Sequence, residues 1–220
     1  DPEYVDAYEI GYKTTLNDNR VSLRTAAFYY DYTDLQVGFV NSDSVVQTVN
    51  AASAHIKGLE AEMNSRLTED VTLELSATLL DAKYTDFVTG DYRQGFALVQ
   101  LKGNYLQNAP KYTLHAALDV HHPVSDTGAL TARAEFSYQD KVYFTEFNNA
   151  DAEQPSYGIV NLMAGYEGGD GKWSVTGWVR NATDEFAYSN NIITAPLYGS
   201  VRVGSLLPPR TYGLTLAYNF

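Results

Sequence analysis

The stretch "PRTYGLTLAYNF" (209–220) carries the clearest pattern in the chain, because large and small side chains alternate in it one by one. The large side chains are Tyr212, Leu214, Leu216, Tyr218 and Phe220. The residues between them are Thr211, Gly213, Thr215, Ala217 and Asn219. Successive side chains of a β-strand point to opposite faces, so the stretch predicts a strand with one apolar face and one small or polar face. The fold then depends on which solvent the apolar face meets.

The same alternation recurs from one end of the chain to the other, whereas helical periodicity is almost absent. It predicts nine strands. They cover about 4–16, 20–37, 45–67, 71–87, 108–121, 129–146, 155–167, 173–187 and 211–220. Several of these strands are far longer than the roughly 5–6 residues usual in soluble proteins, and longer than the roughly 9–11 that cross a bilayer.

The predicted connections alternate between short and long. Short turns are expected at 17–19, 68–70, 122–128 and 168–172. Longer links are expected at 38–44, 88–107, 147–154 and 188–208. This alternation is typical of outer-membrane barrels, which have short turns on the inner side and long loops outside.

A membrane setting accounts for the apolar face. In lipid every backbone polar group must pair within the protein, so only helices and closed barrels span a bilayer. The chain has no run of 18 apolar residues, which leaves the barrel. The predicted fold class is therefore all-β, an antiparallel up-and-down meander within a transmembrane β-barrel. Its apolar face meets acyl chains and its polar face lines a lumen. Tyr218 and Phe220 are expected in the aromatic girdle at the inner interface, and Tyr212 is a further girdle candidate.

The strand count adds an expectation about extent. Bacterial single-chain barrels have an even number of strands, whereas nine strands are predicted here, and the first runs toward a short turn. The chain is therefore expected to be the C-terminal fragment of a larger barrel. A soluble β-sandwich with the same alternation is the alternative fold.

Composition limits the possible partners. The chain has 27 Asp and Glu against 15 Lys and Arg, a net charge of -12. This charge argues against nucleic acid and against anionic lipid headgroups. Cysteine is absent, which excludes thiol catalysis and thiolate metal sites. The 18 tyrosines favour a lipid–water boundary.

Five segments, in this order, resemble the C-terminal barrel segments of TonB-dependent outer-membrane receptors. They are "PEYVDAYEIGYK" (2–13), "NAASAHIKGLEAEMNSRL" (50–67), "NAPKYTLHAAL" (108–118), "VRNATDEFAY" (179–188) and "PPRTYGLTLAYNF" (208–220). The resemblance spans nearly the whole chain. It implies that residues 1–220 are the C-terminal portion of a barrel of about 22 strands, without the plug domain and the N-terminal strands.

The resemblance also implies a function. The intact protein would be an integral protein of the bacterial outer membrane that imports a scarce bulky solute: a ferric siderophore, cobalamin or an oligosaccharide. Its partners would be the TonB complex, the imported ligand, outer-membrane lipid and, through the terminal Phe220 as insertion signal, the barrel-assembly machinery. No cofactor and no enzymatic activity are expected. The competing functions are an outer-membrane barrel enzyme and a soluble secreted binding module.

Charged residues on the predicted polar faces are candidates for the lumen lining. They are Glu60, Glu62, Glu74, Arg133, Glu135 and Arg180. Their expected role is a hydrogen-bonded polar interior that stiffens the barrel and contacts the plug.

Aromatic and polar residues on the long loops are candidates for ligand contact, because binding functions concentrate on such loops. They are Tyr92, Arg93, Phe96, Tyr143, Phe147, Tyr188, Asn190 and Tyr198. The adjacent His121 and His122 are expected at a solvated turn and not in a metal site, since neighbours in a strand point to opposite faces. No Gly-x-Ser-x-Gly motif supports a catalytic triad.

Overall fold

The computed structural model describes residues 1–40, 46–169, 171–193 and 201–219. Strands dominate it. The first seven are β1 (Tyr4–Leu16), β2 (Val21–Val40), β3 (Val46–Arg66), β4 (Val71–Asp91), β5 (Ala97–Gln100), β6 (Tyr112–Ser125) and β7 (Gly128–Gln139). The others are β8 (Val142–Tyr143), β9 (Glu153–Gln154), β10 (Tyr157–Gly168), β11 (Trp173–Arg180), β12 (Tyr188–Ile193), β13 (Arg202–Leu206) and β14 (Thr211–Tyr218). Two single 3₁₀ turns lie at Tyr92–Gln94 and Ala150–Ala152.

Nine long strands form one antiparallel sheet in the order β1-β2-β3-β4-β6-β7-β10-β11-β14. Each strand of this path pairs with the next one along it, so the predicted nine-strand meander is confirmed. The short strands lie in the long connections, where β5 pairs with β4, β8 with β9 and β12 with β13. Short connections join β1 to β2, β3 to β4, β6 to β7 and β10 to β11, as predicted. Long connections follow β4, β7 and β11, whereas the link predicted at 38–44 begins within β2 and otherwise lies outside the described residues.

The two faces of the sheet differ as the alternation predicts. Leu59 on β3 pairs with Leu79 on β4, and Leu79 pairs with Tyr112 on β6. All three are exposed, at 54%, 53% and 45%. In the last strand Leu214 and Leu216 are 66% and 71% exposed. A β-sandwich would cover such residues with a second sheet, so the sandwich alternative is excluded.

Several strand limits differ from the prediction; β4, for example, runs to Asp91 and not to about 87. The sixth predicted strand ends at Gln139 and not near 146, and the eighth ends at Arg180 and not near 187. The turn predicted over 122–128 shrinks to two residues. His121 and His122 therefore lie in β6, opposite Thr131 and Leu130. They do point to opposite faces, but the expected solvated turn was wrong.

Two of these differences have a local cause in the structure. Asn181 adopts φ 49° and its side-chain oxygen accepts the N–H of Glu185 at 2.8 Å, which ends β11 in a turn. Pro123 stays within β6 because the register shifts between it and Ser125. A bulge of this kind tolerates a residue that cannot donate to the ladder.

The outer ends of β3 and β4 carry a small hydrophobic core, at the end of the sheet that bears the long connections. Its buried members are Ala52, Ala54, Tyr84, Phe87 and Leu101. A register shift at Ser53 and Ala54 keeps Tyr84 and Phe87 on one face, where their ring centroids are 5.0 Å apart. By register this is the face of Glu60, so the core sits above the polar side of the sheet. Within the described ranges, no helix is long and apolar enough to cross a membrane.

Candidate functional site

The polar face of the sheet is tied together by Arg133 on β7. Its guanidinium donates to Glu74 on β4 at 3.0 Å, to Asp119 on β6, and to Glu135 beside it at 2.6 Å. Opposite charge and directed hydrogen bonds make such contacts stronger than neutral ones. One side chain thus joins three adjacent strands, and three carboxylates surround a single cation.

This network continues across the sheet through Asn161 on β10. Its side-chain amide donates to Glu135 at 3.2 Å, and its side-chain oxygen accepts the N–H of Asn181 at 3.0 Å. The polar cluster therefore reaches the point where β11 ends. Its geometry fits a rigid lining and includes no arrangement for proton transfer to a substrate.

The other predicted lining residues lie on the same face but outside this cluster. Glu62 pairs with Arg24 at 3.5 Å, with both side chains more than half exposed. Glu60 lies opposite Thr78 and has no ion-pair partner in the part of the chain that the structure describes. The guanidinium of Arg180 lies over the ring of Trp178, 5.1 Å from its centroid. The structure thus brings Glu74, Arg133 and Glu135 together and leaves the remaining three apart. Their contact with a plug stays a prediction.

Among the loop candidates, Arg93 and Phe147 are brought together. Arg93 makes a two-point ion pair with Asp91, Nε to Oδ1 at 3.0 Å and NH2 to Oδ2 at 3.1 Å. Its guanidinium carbon is 5.0 Å from the Phe147 ring centroid, and its NH1 is 3.9 Å from Asp151. Asp91 is fully buried, so Arg93 neutralises a carboxylate that would be costly to bury alone.

Tyr143 belongs to a second aromatic group. Its ring stacks on Tyr105 with centroids 6.5 Å apart, and its hydroxyl accepts from Lys141 at 2.9 Å. Phe96 is half-buried with φ 63°, which places it in the turn that leads into β5.

Tyr188 and Asn190 lie in the hairpin of β12 and β13. The N–H of Tyr188 donates to Gln154 at 2.8 Å, and the Asn190 side-chain oxygen accepts the N–H of Asn191 at 2.7 Å. Asn191 is fully buried and its amide reaches the Asp151 carbonyl at 3.5 Å. Since Asp151 also lies beside Arg93, three long connections are held in one assembly.

Two loop contacts were not predicted from the sequence. Asn148, at φ 53°, accepts the N–H of Tyr105 at 2.6 Å and donates to its carbonyl at 2.9 Å. Glu146 accepts from Gln107 at 2.7 Å, and burial raises the pKa of this carboxyl. The available signal was an asparagine in a polar loop, a residue type that tolerates the left-handed region.

Three candidates fall where the structure is not described. Tyr198 and Phe220 lie outside the described residues, and so does the side chain of Tyr92. The girdle candidates Tyr212 and Tyr218 are described and lie on the apolar face, 78% and 60% exposed. Tyr218 pairs with Trp173 at the short-turn end of the sheet. The girdle itself stays a prediction.

Comparison with known proteins identifies the family to which this sheet belongs. Residues 1–182 match the family model described as TonB dependent receptor-like, beta-barrel. The probable TonB-dependent siderophore receptor PiuA of Acinetobacter baumannii is 30% identical over 168 residues, which are 76% of this chain and 21% of that protein. The chain thus spans about a fifth of the length of this relative.

Solved receptors share the fold at lower identity. The ferric yersiniabactin uptake receptor FyuA of Yersinia pestis superposes with a TM-score of 0.80 at 20% identity, over 99% of this chain and 30% of that one. The ferripyoverdine receptor of Pseudomonas aeruginosa gives 0.65 at 22% identity, over 100% and 27%. The first is described as an uptake receptor and the second as a receptor of the outer membrane, and the family with its barrel fold belongs to the outer membrane. By its family match and its fold, the chain belongs to the β-barrel domain of the TonB-dependent receptors.

Proposed function

We propose that this chain forms the C-terminal part of the barrel of an integral outer-membrane receptor that imports ferric siderophores with energy from TonB. One observation carries the proposal: a single sheet exposes large apolar residues on one face, lines the other with a charged network, and bears packed loops at one end. A lipid-facing wall, a wet lumen and an outer vestibule require these three parts.

The extent of the barrel is part of the proposal. The sheet supplies nine strands, and the intact wall has about 22, as in other outer-membrane transporters whose lumen is plugged. The end strands β1 and β14 then pair with strands contributed by the rest of the receptor. Closure of this kind satisfies the backbone groups that an open edge leaves exposed to lipid.

The choice of a siderophore over cobalamin or an oligosaccharide rests on the relatives, whose names describe siderophore receptors. The loop aromatic Tyr188 suits such a ligand, since its ring lies at the end of the sheet that bears the long connections. Rings and a few polar groups are the usual lining of a small-molecule site. The lumen face with its excess of carboxylates around Arg133 contacts the plug.

Uptake by cells that express the full-length receptor tests this function. Cells that lack their own siderophore receptors should accumulate radiolabelled iron from one ferric siderophore of a panel, only when TonB is functional. Cells carrying Tyr188→Ala should accumulate it more slowly, while Tyr212→Phe, on the lipid face, serves as the matched control. Uptake of cobalamin or an oligosaccharide with no ferric siderophore transported would contradict the proposed substrate.

A further inference from the structure

The outward face carries a group of lysines that none of the functions above uses. Lys57 on β3 and Lys83 on β4 share one carboxylate, Asp81, at Nζ–O distances of 3.6 and 2.8 Å. One anion between two ammonium groups leaves a net positive charge at this point of the wall. Asp31 lies 3.2 Å from His55 and opposite Asp6, so two further carboxylates flank the group on the side of β1 and β2.

The group continues onto Tyr105. The Lys83 Nζ lies 4.9 Å from the centroid of its ring and the Lys111 Nζ lies 4.8 Å from it. Two cations therefore share one aromatic ring, which attracts each of them through its electron-rich face. Within the described ranges no carboxylate lies within salt-bridge distance of Lys111.

Stacking extends the group to the next connection. Tyr105 stacks on Tyr143 with an interplanar angle of 16°, and Lys141 lies 4.8 Å from the Tyr143 centroid and 3.3 Å from Glu153. We call Lys57, Lys83, Lys111 and Lys141, together with Tyr105 and Tyr143, the lysine strip. Asp81 and Glu153 are the two carboxylates that contact it.

The lysine strip lies directly beyond the apolar belt of the wall. Lys57 and Asp81 are opposite each other, two residues outward from the opposed pair Leu59 and Leu79 on the same face. An aromatic ring lies at the same level as the lysines, since Tyr29 is opposite Lys57. The change along the wall, from aliphatic residues to aromatic and cationic ones, follows the order from acyl chains to interface and headgroups.

The lysine strip, counted with its two contacting carboxylates, has a charge opposite to that of the chain. The strip contains four of the seven lysines of a chain whose net charge is -12. The net charge argued against anionic headgroups, but contact with a lipid depends on the charge at headgroup depth and not on the sum. Lysine ammonium groups donate up to three hydrogen bonds each and bind phosphate as point charges.

We propose that the lysine strip binds the phosphate groups of a phosphorylated lipid of the outer leaflet. The acyl chains of that lipid pack against Leu59 and Leu79, while Lys57, Lys83 and Lys111 contact its phosphates. The inference rests on the membrane orientation of the proposed function but not on the imported solute. It assigns a ligand to a surface that faces away from the transport path.

Lipid binding by the full-length receptor, purified in a neutral detergent, tests the inference. The probe is lipid A, with inorganic phosphate at matched phosphate concentration and phosphatidylcholine as separate arms. Native mass spectrometry should detect bound lipid A, and its affinity should fall about tenfold or more when Lys57, Lys83 and Lys111 are all changed to Gln, since each cation near the headgroups contributes to binding. Added salt should weaken the binding of lipid A more in the wild type than in the triple variant.

A matched variant removes the same charge elsewhere. Lys13→Gln, Lys102→Gln and Lys172→Gln together should leave lipid A binding unchanged. If both triple variants lost the same affinity for lipid A, or if neither lost any, the inference would be overturned. Binding of inorganic phosphate as tightly as lipid A would overturn the assignment to a lipid.

Single variants guard against misfolding. Lys111→Gln removes a cation that has no carboxylate partner among the described residues, so the barrel should keep its folded mobility in electrophoresis while lipid A binds about threefold more weakly. Unchanged affinity in this folded variant contradicts the inference. Iron uptake is measured separately: a receptor that binds lipid A through the strip but imports no siderophore would refute the transport proposal alone.

Discussion

At the scale of single residues, Gly58 shows how the wall accommodates a large side chain. A Cβ at this position would lie 2.6 Å from the Phe28 ring and 2.4 Å from the Leu79 carbonyl oxygen. Phe28 is directly opposite Gly58 in the register, so the ring occupies the space that the missing side chain leaves. The glycine is required for close approach, as its position inside a strand suggests.

The substitution Gly58→Ala should therefore destabilise the barrel by about 1–3 kcal/mol, the usual cost of overpacking. The ring of Phe28 must leave its position or the two strands must separate. Chemical unfolding of the full-length receptor in detergent measures the change. Gly11→Ala is the control, because its Cβ would meet nothing nearer than 3.5 Å. Equal stability of the two variants would show that the wall accommodates a Cβ at position 58 without a measurable loss of stability.

Glu146 provides a pH-dependent prediction at the same scale. Burial raises the pKa of its carboxyl, although Arg93 opposes the shift and Asp91 adds to it. Because the folded loop holds the proton more tightly, its stability is fully present below the unfolded-state pKa and falls as pH rises through the folded-state pKa. The ionised carboxylate therefore destabilises the folded loop at neutral pH.

Glu146→Gln should remove that cost and keep an acceptor for Gln107. Hydrogen exchange of residues 144–149, corrected for intrinsic rates, should show stronger protection in the variant at about pH 8 and no difference near pH 4, below the ordinary carboxyl pKa. Glu69→Gln, in an exposed turn, should change nothing in this segment. Weaker protection of the Glu146 variant at pH 8 would contradict the stated direction.

At the scale of elements, Arg133 joins β4, β6 and β7 through three carboxylates. Its replacement by glutamine leaves Glu74, Asp119 and Glu135 close together without a cation. Unfolding of the Arg133→Gln receptor should require about 1–3 kcal/mol less, and the difference should shrink in 1 M salt. Arg24→Gln breaks only the exposed pair with Glu62 and should cost less than about 1 kcal/mol. A larger loss of unfolding free energy in Arg24→Gln than in Arg133→Gln would refute a central role for Arg133.

Strand type and order could be predicted because each element follows a period of two. The ends of β7 and β11 could not, because a side-chain turn at Asn181 and the start of a loop at Gln139 override a continuing alternation. His121 illustrates the same limit, since proline two positions later suggested a turn but a bulge absorbs it. Local pattern thus fixes where a strand exists better than where it ends.

The candidate site could be predicted only in part. Residues on one face follow from parity, so the sequence alone could place Glu74, Arg133 and Glu135 on the polar face, but not in one cluster. Loop contacts follow from long-range packing that no period encodes: Arg93 is held by Asp91 and Phe147, and Asn148 joins two connections. The lysine strip was missed because net charge averages over the whole chain.

At the scale of the whole molecule, the proposed orientation puts one face of each strand against lipid and the other against the lumen. Leu214 and Thr215 are neighbours in β14 at nearly the same depth, but they point to opposite sides. Both are exposed in the described sheet. If the apolar face meets lipid, a charge at Leu214 enters hydrocarbon, whereas a charge at Thr215 enters the wet lumen.

Leu214→Arg should therefore cost about 2–4 kcal/mol of barrel stability, the range measured for arginine on a lipid-facing site near the bilayer midplane. Thr215→Arg gives up the hydrogen bond that Trp178 donates at 3.2 Å and should cost about 1 kcal/mol. The yield of folded full-length receptor in the outer-membrane fraction, detected as the heat-modifiable species, compares the two. Equal yields, or a deeper loss at Thr215, would reverse the assignment of lipid and lumen to the two faces.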